Sequence, residues 1–199
     1  MNANIQIQHT PYLELIIGPM FSGKTSHLIY LSKLYKIANK SVCVINYHED
    51  KRYSETKLSN HDNVSVECIF TETLESLDIQ KISSTYDVIL INEGQFFKDL
   101  YETTIAFVEK HNKIVYISGL DGTFKREPFK NNAILQLIPL CDNVVKKHAI
   151  CKRCHDGTNA IFSHRITDNK DEKIIGGYDQ YLPVCRKCYL ELNIKSNQL

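Results

Sequence analysis

Short apolar runs alternating with stretches of helical periodicity set the plan of this chain. "YLELIIG", residues 12–18, is a β-rich run that stops at a glycine. A helical stretch follows from about Lys24 to Lys36, with Leu28, Leu31 and Leu34 on one side. "SVCVINY" and "VSVECIF" read as strands, "TLESLDIQKI" as a helix, "YDVILIN" as a strand, "DLYETTIAFVEKH" as a helix and "KIVYISG" as a strand. Continuous apolar runs of this length are typical of parallel strands buried on both faces. Helices between them make right-handed crossovers, so the expectation is an α/β fold with a three-layer parallel sheet. The pattern changes near Ile150, where paired cysteines begin. That places a boundary between residues 1–149 and a small C-terminal domain, 150–199.

Composition adds limits. Of 199 residues, 43% are hydrophobic and 24% charged, near the globular norm, so a real core is expected. Lys plus Arg number 24 against 23 acidic residues, which gives no electrostatic reason to expect nucleic acid or a membrane surface as partner. The first residues do not read as a signal peptide, and no apolar run approaches the roughly 18 residues of a membrane span. The expectation is a soluble, cytoplasmic protein.

Cysteine usage points the same way. Of seven cysteines, Cys43, Cys68 and Cys141 stand alone in apolar surroundings and read as small core residues. The rest form two pairs, "CKRC" (Cys151, Cys154) and "CRKC" (Cys185, Cys188). Each C-x-x-C knuckle offers two thiolates on one turn, and two knuckles complete a tetrahedral structural zinc site with no open position for catalysis. The bland reading is a redox dithiol, or chance.

The most specific motif is "GPMFSGKT", from Gly18 to Thr25, a full match to G-x-x-x-x-G-K-[ST] between a strand and a helix. Gly18 and Gly23 let backbone amides curl around phosphate oxygens, Lys24 reaches the β- and γ-phosphates, and Thr25 offers a hydroxyl to magnesium. Met20 and Phe21 are large apolar residues for such a loop; they either pack on the core or line a pocket for an aromatic substrate. At the ends of later strands come "HEDKRYS", with Asp50 and Arg52, then "NEGQFF" and "SGLDGTF". Open α/β sheets bind ligands at such strand ends. In nucleotide-handling proteins a strand there delivers an aspartate to magnesium. Here the position is Asn92, and the carboxylate follows as Glu93.

Taken in order, "GPMFSGKT", "EGQFF", "GLDGTF", "CKRC", "IGGYDQY" and "CRKCY" resemble the type II, cytosolic-type thymidine kinases over about residues 12–190. The resemblance implies a P-loop NTPase-like domain with a small zinc-ribbon/lasso domain, and ATP-dependent phosphorylation of thymidine. It also implies magnesium with the ATP, a structural zinc, feedback by thymidine triphosphate (dTTP) and a homotetramer. Residue by residue it makes Glu93 the general base. Gly18, Pro19, Met20, Phe21, Ser22, Gly23, Lys24 and Thr25 form the ATP loop. Thr25, Asn92 and Asp50 lie at the magnesium, and Arg52 near the phosphates. Met20, Phe96, Leu120, Phe124, Ser163, Ile174, Gly176 and Tyr181 lie around the nucleoside. The sequence departs from the family at Asn92, where the usual residue is Asp, and in the charged "DNKDEK" on the lasso flank. An amide in place of a carboxylate is expected to weaken the metal site without erasing it. Two other readings stay open: a catalytically silent nucleotide-binding regulator, and a zinc-containing P-loop ATPase acting on nucleic acid.

Overall fold

The computed structural model describes residues 8–50, 56–60, 62–131, 133–167, 171, 176–177 and 179–196. Its centre is a six-stranded sheet: β1 (Tyr12–Ile17), β2 (Val42–Tyr47), β5 (Ile69–Thr71), β6 (Val88–Ile91), β7 (Ile114–Gly119) and β8 (Asn143–Lys146). The order across the sheet is β5-β2-β6-β7-β1-β8, and every pairing is parallel. Helix α1 (Lys24–Ile37) joins β1 to β2, α2 (Ile79–Thr85) joins β5 to β6, and α3 (Leu100–Ile105) joins β6 to β7. The expected α/β architecture is present.

The continuous apolar runs are explained by two cores, one on each face. Successive residues of a strand point to opposite sides. Ile89 and Ile91 enter a core with Leu13, Leu15, Leu100, Phe107 and Ile134. Val88 and Leu90 enter the other, with Leu28, Leu31 and Tyr35 of α1. All four β6 residues are fully buried, each worth about 1.5–3 kcal/mol relative to exposure. Such a strand must read as an unbroken apolar word.

Three boundaries differ from the sequence reading. "VSVECIF" is two strands. β4 (Ser65–Glu67) pairs antiparallel with β3 (Lys57–Ser59) in a ribbon over α1, whereas β5 joins the main sheet beside β2. Leu58 and Val66 of that ribbon pack into the α1 core, and Asn60 Nδ2 donates to Ser26 Oγ at 3.0 Å. Helix α2 begins only at Ile79, because Asp78 caps it by accepting from the Lys81 amide at 2.9 Å. β8, mostly exposed at the sheet edge, carries too little apolar signal to read as a strand.

The cysteine region contributes β9 (Ala149–Ile150), β10 (Asn159–Ala160), β11 (Phe162–Arg165), β12 (Tyr181–Val184) and a helix not foreseen, α5 (Arg186–Ser196). β9 pairs with β10, and β11 with β12, both antiparallel. A third core gathers Ala149, Ala160, Val184, Tyr189 and three of the paired cysteines, with Phe21 against it. Of the isolated cysteines only Cys43 is fully buried; Cys68 and Cys141 are half-buried at core margins. Among the described residues no helix is long and apolar enough to cross a membrane.

Candidate active site and metal centre

The loop from Gly18 to Gly23 links β1 to α1. Its first glycine has φ 147°, and a Cβ there would collide with the Lys147 carbonyl oxygen. Gly23, the residue before α1, has φ 75°, a left-handed conformation that a side chain would strain. Lys24 is buried, its ammonium donating to Pro19 O at 2.6 Å and to Ser22 Oγ at 3.4 Å. The first turn of α1 holds no acidic residue, so its amide end keeps its positive field for an anion.

Side-chain bonds tie this loop to the ends of β6 and β7. Asn92 is 2% exposed, and its amide oxygen accepts from Ser118 Oγ at 2.7 Å and from Thr25 Oγ1 at 3.5 Å. Its amide nitrogen donates to Asn46 Oδ1 at 2.9 Å. Asn46 in turn donates to the Asp50 carbonyl at 3.2 Å and to Asp50 Oδ2 at 3.4 Å. Asn92 is thus a neutral junction joining Thr25, Ser118 and, through Asn46, Asp50. This donor set suits a hard cation, which takes oxygen ligands: a hydroxyl at Thr25, an amide oxygen at Asn92 and a carboxylate at Asp50. The Asn92 oxygen already accepts two bonds, so it fits the task of orienting Thr25 better than direct ligation. Arg52 and Ile174 lie outside the described residues.

Glu93 follows at φ 56°, an uncommon conformation for a residue with a side chain. Gly94 comes next because a Cβ there would sit 2.6 Å from Ile117 Cγ2. Gln95 Nε2 donates to Glu93 Oε2 at 2.6 Å, while Gln95 Oε1 accepts from the Leu120 amide at 3.0 Å. One buried glutamine therefore holds the carboxylate and fixes the start of the loop after β7. Phe96 packs between Tyr47 and Phe129, with ring centroids 5.3 and 5.8 Å away. Leu120 and Phe124 are half-buried on the loop after β7.

The C-terminal region meets this site in three places. Ser163 Oγ accepts from the Met20 amide at 2.9 Å, and Tyr189 OH donates to Phe124 O at 2.7 Å. The Arg165 guanidinium lies 3.9 Å from the Phe124 ring centroid and donates to Tyr181 OH. Met20 and Phe21 part company: Met20 stays half-buried beside Ser163, whereas Phe21 packs into the third core. Gly176 is half-buried next to Gln180.

The four paired cysteines come together, their sulfurs all within 4.8 Å of one another. Cys154 Sγ lies 3.7 Å from Cys185 Sγ and 3.5 Å from Cys188 Sγ. A tetrahedral zinc with bonds of ~2.3 Å requires sulfurs ~3.8 Å apart, so the set fits that ion. Burial pushes the Cys151 thiol up, but backbone N–H groups of Cys185, Cys154 and Arg153 outweigh it and bring it down to about 6. A thiolate there at neutral pH is the form that binds metal.

Asn46, Gln95, Ser118 and Arg165 do structural work that the sequence reading gave no role. Asn46 and Ser118 had a signal in common: a polar residue at the end of an apolar run.

The chain also matches known proteins along most of its length. A family model described as thymidine kinase matches residues 11–189. The thymidine kinase of Sheeppox virus (strain KS-1) is 45% identical over 181 residues, covering 89% of this chain and 96% of that protein. That of Yaba monkey tumor virus (strain VR587) is 43% identical over 182 residues, 92% and 96% of the two chains. That of Vaccinia virus (strain Western Reserve) is 43% identical over 180 residues, 90% and 97%. With its Gly18–Thr25 loop, its strand-end Glu93 and its four-cysteine cluster in one frame, and with matches of that extent, the chain belongs to the thymidine kinase family.

Proposed function

We propose that the protein transfers the γ-phosphate of ATP to the 5′-hydroxyl of thymidine, giving ADP and thymidine monophosphate. The observation that supports this most is the bonded chain from Thr25 through Asn92 to Ser118, with Glu93 next in sequence and Gln95 clasping it. It supports the reading that the Gly18–Thr25 loop and Glu93, which lie at one sheet end, serve a single phosphoryl transfer. The amides of Gly18–Thr25 cradle the phosphates, and Lys24 swings from Pro19 onto the transferring group, balancing its charge. Glu93 takes the 5′-hydroxyl proton as that oxygen bonds to the γ-phosphorus. The bond from phosphorus to the β–γ bridging oxygen breaks, and ADP leaves with its electron pair. Thr25, oriented by Asn92 and with Asp50 nearby, would hold magnesium, which supplies charge screening on the phosphates.

Met20, Phe96, Leu120 and Phe124 would flank the thymine, with Ser163, Gly176 and Tyr181 on the covering side. Cys151, Cys154, Cys185 and Cys188 would hold a structural zinc, fixing β9, β12 and α5 so that Ser163 and Tyr189 reach the site. The C-terminal domain would begin near residue 150. This reading extends to a cytoplasmic homotetramer under feedback by dTTP.

A coupled assay with ATP, magnesium and four deoxynucleosides tests the assignment. Thymidine should be the best acceptor, and Lys24→Ala should lower the rate roughly 10²–10³-fold. Transfer only to purine nucleosides, or full activity in that variant, refutes it. No turnover alongside intact ATP binding would instead favour the silent regulator.

A further inference from the structure

The last residue of β8, Lys146, and the lysine that follows it meet different surroundings. Lys146 pairs with Asp121, Nζ to Oδ2 at 2.8 Å. Lys147, the residue after β8, lies against the phosphate loop. Its backbone N–H donates to Ile17 O at 2.8 Å, and its carbonyl is the group that a Cβ on Gly18 would strike. Its Cε sits 3.9 Å from the point a Cβ on Gly23 would occupy. The side chain therefore runs along the loop from its first glycine to its last.

The Lys147 ammonium is half-buried and, among the described residues, forms no ion pair. Its partner is the imidazole of His27, in the first turn of α1, at 3.4 Å from Nδ1. His27 is held below its usual pKa by burial and by Lys147, so its neutral ring accepts that bond. The carboxylate that acts on His27, Glu14, accepts from Tyr12 OH and Asn143 Nδ2, at 2.7 and 3.0 Å. Burial likewise depresses the Lys147 ammonium. A part-desolvated cation with no counter-charge is costly unless an anion completes it. The group that this loop is shaped to receive is a polyphosphate.

We propose that Lys147 is a second phosphate-binding cation, contacting the nucleoside triphosphate donor beside Lys24. The inference rests on the kinase reading, because it takes the loop to bind ATP. His27 holds the ammonium over Gly23 until the nucleotide arrives.

The test measures ATP and ADP binding directly, by calorimetry without thymidine, on the zinc-loaded full chain. Lys147→Met keeps the apolar stem and removes the charge; it should weaken ATP roughly tenfold, the low end for a charge-assisted contact in a half-exposed setting. Lys147→Arg should retain most of the affinity. The salt dependence of ATP binding should be shallower in Lys147→Met, while the KM for thymidine stays within about twofold. If Lys147→Met binds ATP as the unchanged protein does, the inference fails and the kinase reading stands. If the variant melts earlier and loses thymidine and ATP affinity together with an unchanged salt slope, Lys147 only props the loop, which also overturns it. If the unchanged protein binds no ATP, both readings fall.

Discussion

Replacing Asn92 by aspartate exposes what the amide does. The change adds a carboxylate where the resemblance leads one to expect it, and on charge alone it should strengthen magnesium binding. The surroundings oppose it. Asn92 is 2% exposed and its nitrogen donates to Asn46 Oδ1 at 2.9 Å. A carboxylate has nothing to donate, so two acceptor oxygens would face each other at that distance. Turning the Asn46 amide over mends this contact but points its oxygen at the Asp50 carbonyl and Oδ2, now 3.2 and 3.4 Å from its nitrogen. Either way one buried acceptor is left facing another, a cost of about 1–3 kcal/mol. Desolvating the charge adds to it, while the Ser118 and Thr25 hydroxyls return about 1 kcal/mol by bonding to a charged oxygen. Asn92→Asp should therefore lose about 2–4 kcal/mol in EDTA at pH 7.5, a midpoint drop of roughly 1–2 M urea. Magnesium with ADP should restore part of that. The new carboxyl's folded pKa would be raised above the unfolded value of ~3.9. The folded state then holds the proton more tightly, so the deficit should shrink towards pH 4 and grow as pH rises. An unchanged urea midpoint in EDTA refutes the reasoning, because the Asn92–Asn46 bond would then not constrain the site.

Glu93→Gln should lower kcat by roughly 10²–10⁴ with ATP and thymidine affinity little changed, as expected for loss of a general base; steady-state kinetics check this, and an equal fall in affinity argues for a binding role instead. Cys188→Ser should lower zinc content and raise the KM for thymidine before ATP binding suffers, because Ser163 and Tyr189 reach the candidate site from the region of the four-cysteine cluster; metal analysis with paired KM values decides it. Asp87, whose carboxylate accepts from the Ser41 amide and hydroxyl at 2.8 Å each, is held below its usual pKa by those bonds. Its stabilisation is present above the unfolded value and lost as pH falls through the depressed one, so Asp87→Asn should flatten the acid limb of the denaturation curve.

Much of this protein follows from local pattern. Unbroken apolar runs such as Val88–Ile91 dictate doubly covered parallel strands, since a sheet with helices on both faces leaves no room for polar alternation. The Gly18–Thr25 motif and each cysteine knuckle are legible in spacing, because each sets its groups within a single turn; bringing the two knuckles together, 31 positions apart from Cys154 to Cys185, is left to the fold. Other features depend on segments far apart in the chain. The bond from Asn92 to Asn46 spans 46 positions, and that from Met20 to Ser163 spans 143. No periodicity encodes such pairs; they form when β2 and β6 become neighbours and when the four-cysteine region folds back on the Gly18–Gly23 loop. The same holds for β8, whose exposed face carries almost no apolar signal and which exists because β1 offered it a free edge. It also holds for Lys147, an ordinary surface lysine by sequence, which the parallel pairing of β8 with β1 sets beside the two loop glycines.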